Sequence, residues 1–273
     1  MRADLLARAI ARQLEPVSDC AAFEAKCMVE HFCAAGIDDI YLQRELADVP
    51  SVRLQEAIQQ RLQGIPLQYI LGEWDFCGNT FYVNENVLIP RPETELLCEC
   101  LADKMSPGTY VYDLCAGSGC IAISVAKATG AQVCAVEKYT GAFSVLQRNI
   151  QKHGALVQAK QWDITEAPDS SFAPADIILS NPPYIAKGEL ATLQREVQRE
   201  PQTALDGGAD GFDFYRAICR NFMPLLKPGG YAAFEIGEGQ AEGLRQIFSA
   251  YRHIQTIKDY NGIERVVIFG KDS

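Results

Sequence analysis

Apolar residues recur every three or four positions over much of the first 72 residues, the spacing that places side chains on one face of an α-helix. The two clearest stripes are Leu5, Leu6, Ala9, Ile10 and Leu14, and Leu54, Ala57, Ile58 and Leu62. No convincing strand pattern occurs in this region. The sequence therefore predicts a small helical domain over residues 1–72.

The pattern changes after Gly72 to two short alternating segments, EWDF and TFYV. They are separated by Cys77-Gly78-Asn79, residue types that favour a turn, which predicts a β-hairpin. We expect this hairpin, within residues 73–89, to link the helical domain to a second domain over residues 90–273. The segment VLIPRPETELL leads from this linker into the second domain, and its Pro92 suits the first turn of a helix.

Beyond Pro107-Gly108 the chain alternates strand-like and helical segments, as in an α/β protein with a mostly parallel sheet. Strands are predicted at 110–114, 132–137, 156–161, 177–180, 231–236, 253–258 and 265–269, and helices from about 120, through 146–150, at 212–226 and at 240–250. The turn Tyr260-Asn261-Gly262 predicts that the last strand pairs antiparallel. Such a seven-stranded, Rossmann-like sheet resembles the class I S-adenosylmethionine-dependent methyltransferase fold.

The composition narrows the classes of partner. A net charge of −10 over 273 residues opposes tight binding to nucleic acid, because phosphate contacts need Lys or Arg. A protein is the easier partner. The N-terminal helix is charged and amphipathic, and no run of about 18 apolar residues occurs, so we expect a cytoplasmic protein that makes no membrane contact.

The ten cysteines lack the regular spacing of a disulfide framework, and we expect them to be reduced. No C-x-x-C pair occurs, and the three histidines lie far apart in sequence. Because a zinc site needs several such ligands close together, no metal site is expected.

A glycine-containing loop, Asp113-Leu-Cys-Ala-Gly117-Ser-Gly119, lies between a predicted strand and a predicted helix, where open α/β sheets bind nucleotides. Cys115 stands where the dinucleotide motif G-x-G-x-x-G often has its first glycine, so a pyrophosphate site is less natural. The run looks like the nucleoside-amino-acid loop of methyltransferases. In this interpretation Asp113 faces the cationic end of the cofactor, and residues 115–119 pack against its amino-acid part and ribose. The alternative is a turn that only starts a helix.

Two further side chains suit a nucleoside ligand. Glu137 ends the second strand of this domain, where a carboxylate can accept hydrogen bonds from both ribose hydroxyls of NAD or of S-adenosylmethionine. Its alternative role is a charge at the start of the helix beside Thr140. Trp162, just after the third strand, can pack on adenine, but it can equally be an ordinary core residue.

The most informative stretch is Asn181-Pro182-Pro183-Tyr184, which follows the apolar strand IILS. A planar amide or exocyclic amine nitrogen is a poor nucleophile because its lone pair is delocalised, so an enzyme must position and polarise it. The Asn181 side-chain oxygen and the Pro182 carbonyl can each accept one N–H of such a nitrogen.

The rest of the tetrapeptide prepares this geometry. Pro183 confines Pro182 to extended backbone, which fixes the direction of its carbonyl. Tyr184 offers a flat face for the substrate. We therefore assign catalysis to Asn181, Pro182 and Tyr184, substrate binding to all four residues, and a cofactor contact to Asn181. The alternative is a rigid loop with no chemical role.

Together these stretches resemble the HemK/PrmC family of release factor glutamine methyltransferases. The resemblance covers most of the chain and includes GIPLQYILGEWDF, IPRPETELL, DLCAGSGCIAISVA, ILSNPPYI, EPQTALDGGADGFDFYRAI, FEIGEGQ and GIERVV. It implies transfer of a methyl group from S-adenosylmethionine to N5 of the glutamine in the Gly-Gly-Gln motif of class-1 peptide chain release factors. It also implies that the N-terminal helical domain recognises this protein partner.

Residue by residue, the resemblance implies cofactor contacts at Cys115, Ala116, Gly117, Ser118 and Gly119, at Glu137 and at Trp162, and substrate contacts at Asn181 to Tyr184. Glu137 departs from the family, which more often has Asp. Lys160-Gln161 also depart, because an acidic residue is common there, and Asp163 is a possible substitute. The resemblance places residues 90–94 beside the cofactor. The loop 204–211 either closes near the site or is a solvent-exposed turn.

Three other functions are compatible with these motifs. The same tetrapeptide serves exocyclic amines, as in N6-adenine or N2-guanine methylation of nucleic acid, although the acidic composition opposes it. A ribosomal-protein glutamine is a second possible substrate. A binding module without catalysis is a third, disfavoured by the intact Asp113, Glu137 and Asn181.

Overall fold

The polypeptide forms two units, one of which takes up a short stretch from the middle of the sequence. A computed structural model describes residues 1–47, 49 and 51–273. The first unit is Met1–Glu73 together with Gln194–Arg199, and the second is Trp74–Leu193 with Glu200–Ser273. The sequence pattern gave no indication that residues 194–199 belong to the N-terminal unit.

Helices make up most of the N-terminal unit: α1 (Ala3–Leu14), α2 (Ala21–Cys33), α3 (Ile37–Tyr41), α4 (Ser51–Leu62) and α5 (Leu67–Leu71). The buried face of α1 consists of Ala3, Asp4, Ala7, Ile10 and Leu14. Leu5 is half exposed and Ala9 is exposed, so the predicted stripe was wrong at these two positions. Residues 3, 7, 10 and 14 have the same helical spacing, and the smaller side chains at 3 and 7 allow closer packing.

An ion-pair cluster connects residues 194–199 to the helices of this unit. Arg61 on α4 is buried and donates to both carboxylate oxygens of Glu24 over 2.7 and 3.0 Å. Glu196 accepts a further hydrogen bond from the same guanidinium group. Because removing one partner would leave a buried charge unpaired, this cluster constrains where residues 194–199 lie.

A hairpin of β1 (Glu73–Phe76) and β2 (Asn79–Tyr82) forms as predicted, and all of it except Glu73 belongs to the second unit. Its turn residues are Cys77 and Gly78, with φ of +46° and +68°, as in the two-residue turns that hairpins favour. Asn79 already belongs to β2, so the predicted turn was one residue too long. Phe76 and Phe81 pack into the hydrophobic core of this unit.

The predicted seven-stranded sheet is confirmed. Its strands are β3 (Tyr110–Leu114), β4 (Gln132–Glu137), β5 (Val157–Gln161), β6 (Ala175–Ser180), β7 (Leu226–Glu235), β8 (Arg252–Lys258) and β9 (Glu264–Gly270). They lie in the order β5-β4-β3-β6-β7-β9-β8, and β9 pairs antiparallel with both its neighbours. The remaining pairs are parallel.

The longer helices of this unit are α6 (Glu95–Glu99), α7 (Cys120–Thr129), α8 (Thr140–His153), α9 (Asp213–Asn221) and α10 (Ala241–Ile247). A 3₁₀ turn over Pro92–Thr94 precedes α6, with Pro92 at its first position as predicted. The helix predicted over 212–226 is shorter than expected. It gives way to a 3₁₀ turn at Met223–Leu225, because Pro224 has no amide hydrogen for a continuing α-helix.

Two hydrophobic clusters cover the two faces of the sheet, one containing Val111 and Ile177 and the other Tyr112 and Ile178. Alternation along each strand explains this division. The strand order reverses between β3 and β6, which is where open α/β sheets form a ligand crevice at the carboxyl edge. In the described part of the chain, no helix has the length and apolar character needed to cross a membrane.

Candidate active site

A cleft with an empty volume of about 840 Å³ opens at the carboxyl edge of β3, β4, β5 and β6. Eight of the predicted site residues line it: Cys115, Ala116, Gly117, Ser118, Glu137, Trp162, Asn181 and Pro183. They come from four separate segments, and the parallel strands bring them together because the carboxyl ends of these strands meet at one edge. Asp113, Gly119, Pro182 and Tyr184 are not among the lining residues.

The loop after β3 follows an alternating backbone path, with φ of +64° at Cys115, +53° at Gly117 and +81° at Gly119. Gly117 lines the cleft, and a Cβ built there would meet nothing within 4 Å. Gly119 is the N-cap of α7, and a Cβ there would lie 2.4 Å from Leu146 Cδ1. The absence of a side chain at Gly119 therefore allows the start of α7 to pack closely on Leu146 of α8.

Asp113 lies beneath this loop, although we expected it to face the ligand. Its side chain is fully buried, and Oδ2 accepts the Ala122 backbone N–H over 3.0 Å. Burial, with a smaller contribution from the charge of Glu137, raises the pKa of Asp113 to about 8. A carboxyl group in this position anchors the first turn of α7 to β3.

Glu137 ends β4 with both carboxylate oxygens already engaged. Oε2 accepts the Gly117 N–H and Oε1 accepts the Tyr139 N–H, each over 2.9 Å. The group is buried, which raises its pKa. Each oxygen retains a lone pair, so Glu137 combines the structural role at the start of α8 with capacity to accept hydroxyl groups in the cleft.

Two neighbouring side chains form another part of the cleft wall. Trp162 contacts Phe172 edge-on, with ring centroids 5.5 Å apart, and its Nε1 is buried with no partner in the described part of the chain. Asp163 also lines the cleft and forms a 2.7 Å ion pair with Lys138. Burial opposes the charge of Asp163, but hydrogen bonds from Lys138 and Thr165 lower its pKa overall.

The tetrapeptide after β6 is held by contacts from several directions. Asn181 Nδ2 donates to Thr94 Oγ1 over 3.2 Å. Pro182 and Pro183 are buried. The Tyr184 carbonyl accepts a hydrogen bond from Gln240 Nε2 over 2.9 Å.

The Tyr184 ring packs against the hydrophobic cluster that contains Tyr112, and a Cβ built on Gly237 would lie 3.1 Å from its Cδ2. We expected this ring to offer a face to the substrate, but its described contacts anchor the loop. The tetrapeptide is therefore rigid, as its prolines predicted.

The loop that follows residue 203 lies against the tetrapeptide. Asp206 forms an isolated bridge with Ile185, and the Gly207 N–H donates to the Ile185 carbonyl over 2.8 Å. Thr203 and Ala204 line the cleft. These contacts favour the interpretation that the loop 204–211 lies near the site over the interpretation that it is a solvent-exposed turn.

Glu235 and Gln240 were not predicted from the sequence to lie near the site, whereas Thr94 belongs to residues 90–94, which the resemblance places beside the cofactor. Glu235 is buried at the end of β7; burial raises its pKa to about 7, and the neighbouring Thr94 and Asn181 side chains oppose this rise. A signal was present, because Glu235 is a carboxylate that ends the apolar segment YAAF. The contact between Thr94 and Asn181 had no local signal, since the two residues lie 87 positions apart in sequence.

Comparison with known proteins identifies methyltransferase families in both parts of the chain. Residues 92–209 match the Methyltransferase small domain family, and residues 4–72 match the PrmC N-terminal domain family. The release factor glutamine methyltransferase of Geobacter sulfurreducens is 44% identical, over 77% of this chain and 75% of the relative. That of Chlorobaculum tepidum is 36% identical, over 96% of this chain and 94% of the relative.

Among solved structures, a methyltransferase from Pyrococcus furiosus is similar, with a TM-score of 0.54 and 18% identity over 82% of this chain and 98% of that one. The T. thermophilus 16S rRNA methyltransferase RsmC has a TM-score of 0.53 and 22% identity over 73% of this chain and 49% of that one. At such identities these two structures support the class I methyltransferase fold alone. The relatives and family matches, which extend over both units, establish that the chain belongs to the release factor glutamine methyltransferases.

Proposed function

We propose that this protein methylates N5 of the glutamine in the Gly-Gly-Gln motif of class-1 peptide chain release factors, with S-adenosylmethionine as methyl donor, and so modulates translation termination. One observation carries the chemistry. The side-chain nitrogen of Asn181 is bound to Thr94, which leaves the Asn181 oxygen as its acceptor for a substrate N–H in the cleft.

The residues of the cleft fit this cofactor. Glu137 can accept ribose hydroxyls, the flat Trp162 ring with its unpartnered Nε1 suits adenine, and the open space at Gly117 suits a ligand that approaches the backbone. When bound, S-adenosylmethionine would supply the electrophilic methyl group of its sulfonium, whose S–CH3 bond breaks to leave a neutral thioether. Asp113 would act on this site indirectly, by holding the loop of residues 115–119.

The protein's own part in the reaction is to hold and polarise the substrate nitrogen. The Asn181 oxygen and the Pro182 carbonyl accept its two N–H groups, so its remaining lobe is directed at the methyl group. The lone pair of this nitrogen is delocalised into the amide. Because the two acceptors polarise the N–H bonds, the lone pair becomes more available to attack the methyl group. After transfer the nitrogen loses one proton to solvent.

We assign partner recognition to residues 1–72, the hairpin linker to residues 73–89 and catalysis to residues 90–273. The net charge of −10 supports a protein substrate over nucleic acid. We place the reaction in the cytoplasm, where release factors act, without a membrane-bound step.

Isotope-labelled S-adenosylmethionine offered in parallel with a class-1 release factor, ribosomal proteins, DNA and RNA tests this proposal. We expect label in the release factor alone. Labelling of ribosomal protein or nucleic acid in preference to the release factor would contradict the assigned substrate. The absence of any S-adenosylmethionine binding by calorimetry would contradict the assigned cofactor.

A further inference from the structure

Glu235 is a buried carboxyl group to which the reaction described above gives no role. It ends β7 with 3% of its surface exposed, and its Oε2 atom has no hydrogen-bond partner among the residues that the structure describes. An isolated carboxylate is costly to bury. Its position next to the tetrapeptide therefore calls for a functional explanation.

The side chains of Thr94 and Asn181 lie next to this carboxyl group and lower its pKa. Thr94 is itself buried and accepts the Asn181 Nδ2 donor. A threonine hydroxyl has one hydrogen to give, whereas an ionised carboxylate can only accept. An ionised Glu235 next to Thr94 attracts that hydrogen, so the Thr94 oxygen can only accept from Asn181.

We propose that Glu235 is a positioning residue which, through Thr94, fixes the side-chain amide of Asn181 with its oxygen available to the substrate. This inference rests on the proposed function. The nitrogen and oxygen of a carboxamide are nearly equal in size, so packing alone does not select one orientation. The direction in which the Thr94 hydroxyl donates selects it.

Protonation of Glu235 removes this selection. A carboxylic acid can donate to Thr94, whose own hydrogen is then available to the Asn181 oxygen. The amide of Asn181 can then turn its nitrogen towards the substrate, where two N–H donors oppose each other. Because burial raises the pKa of Glu235 to about 7, this change falls within the neutral range.

Other charged and titratable groups surround Glu235. Arg265 on β9 lowers the pKa of Glu235, and Glu93 before α6 raises it. Tyr215 on α9 donates its hydroxyl to the Glu235 backbone carbonyl over 2.6 Å. Burial raises the pKa of both Tyr184 and Tyr215 above the ordinary tyrosine value, so these two hydroxyls and Arg265 keep their charge states near neutral pH.

The test is the pH dependence of kcat between about pH 6 and 8, at saturating S-adenosylmethionine and release factor. We expect kcat of the wild type to fall with decreasing pH below about 7. Glu235→Gln places a donor next to Thr94, so its kcat should be about 10- to 100-fold lower and nearly independent of pH. Glu238→Gln, at an exposed carboxylate on the same segment, is the matched control and should behave as wild type.

A second pair of variants isolates the hydroxyl. Thr94→Ser keeps the hydroxyl and should retain most of kcat. The nearly isosteric Thr94→Val removes the hydroxyl and should lower kcat about 10- to 100-fold, as Glu235→Gln does. The dissociation constant of S-adenosylmethionine should be unchanged in every variant. Equal kcat for the Val and Ser variants, or a Glu235→Gln enzyme with the wild-type pH profile, would overturn the proposal.

Melting temperatures over the same pH range give a readout independent of activity. A raised pKa in the folded state means that wild type loses stability relative to Glu235→Gln as pH rises through about 7. A constant difference in melting temperature would contradict the buried, titrating Glu235. A wild-type enzyme that binds S-adenosylmethionine but never methylates release factor would instead contradict the proposed function, and this inference with it.

Discussion

Cys115 adopts a backbone conformation that glycine usually occupies in nucleotide-binding loops. Its φ of +64° lies in the left-handed region, which costs a residue with a Cβ about 1 to 2 kcal/mol. Glycine is common at the corresponding position of nucleotide-binding loops for this reason. The departure from G-x-G-x-x-G thus changes the side chain at the cleft and leaves the loop conformation intact.

Glu137 carries the clearest prediction for cofactor binding. Glu137→Ala removes the acceptor proposed for the ribose hydroxyls and leaves the Gly117 and Tyr139 amides without their partner. We expect the dissociation constant for S-adenosylmethionine to rise about 10-fold or more, measured by calorimetry. Glu242→Ala, an exposed carboxylate on α10, is the control. An unaltered dissociation constant in Glu137→Ala would remove Glu137 from the cofactor site.

At this scale, the sequence predicted the residues whose chemistry is local. The position of Asn181 and Glu137 at the cleft could be predicted because each directly follows or ends an apolar strand, and parallel strands bring such positions to one edge. The contact of Thr94 with Asn181 and the position of Glu235 beside them could not be predicted, because both depend on which side chains meet across the fold. Asp113 and Tyr184 were predicted to face the ligand, but the burial of the Asp113 side chain and the packing of the Tyr184 ring depend on tertiary contacts that no local pattern reveals.

Among the elements, the start of α7 depends on close packing at Gly119. Gly119→Ala would place a Cβ 2.4 Å from Leu146 Cδ1 in addition to straining a φ of +81°. We expect the free energy of unfolding to fall by about 2 to 4 kcal/mol, measured by urea denaturation. Gly154→Ala has a similar φ strain with nothing within 4 Å, so it should cost only about 1 kcal/mol. Equal losses would refute the packing role of Gly119.

The loop beside the tetrapeptide provides a second matched pair. A Cβ on Gly207 would lie 2.7 Å from Tyr184 Cα, so Gly207→Ala should displace the tetrapeptide. We expect kcat to fall about 10- to 100-fold with little change in the affinity for S-adenosylmethionine. Gly188→Ala, in the same connection and with open space around its Cβ, should keep wild-type kcat. A fully active Gly207→Ala enzyme would contradict the need for this contact.

Helices and strands could be predicted from the sequence wherever a single hydrophobic periodicity dominated a segment. All seven strands of the large sheet were predicted: β3, β4 and β6 are apolar runs typical of buried parallel strands, and the turn at residues 260–262 indicated the antiparallel pair β8 and β9. The α1 stripe was partly wrong because leucines and alanines occur on more than one face of the helix. The membership of residues 194–199 in the N-terminal unit has no local signal, since it depends on the buried Arg61.

At the scale of the whole molecule, buried carboxyl groups tie stability to pH. Burial raises the pKa of Asp113 to about 8 and that of Glu235 to about 7, so the folded protein holds protons that the unfolded chain releases. Stability should therefore fall as pH rises from about 5 to 8, by up to about 1.4 kcal/mol per pH unit for each group. Urea denaturation at several pH values measures this slope.

Asp113→Asn should flatten that slope, because it removes one of the titrating groups. Asp169→Asn is the control: the pKa of this exposed carboxylate is lowered by its bonds to Ser171, so it stays charged over the whole range and should not change the slope. Wild-type stability that rises between pH 5 and 8, as expected for proteins dominated by ion-paired carboxylates, would contradict the assignment of buried, protonated acids.

The central claim is that the Asn181 oxygen makes the glutamine nitrogen of a release factor reactive. Mass-spectrometric mapping of a class-1 release factor, incubated with S-adenosylmethionine and either wild type or Asn181→Ala, tests it directly. Wild type should add one methyl group, on the glutamine of Gly-Gly-Gln, and Asn181→Ala should do so at least about 100-fold more slowly while still binding S-adenosylmethionine. Methylation at another residue, or an equal rate with Asn181→Ala, would contradict the account.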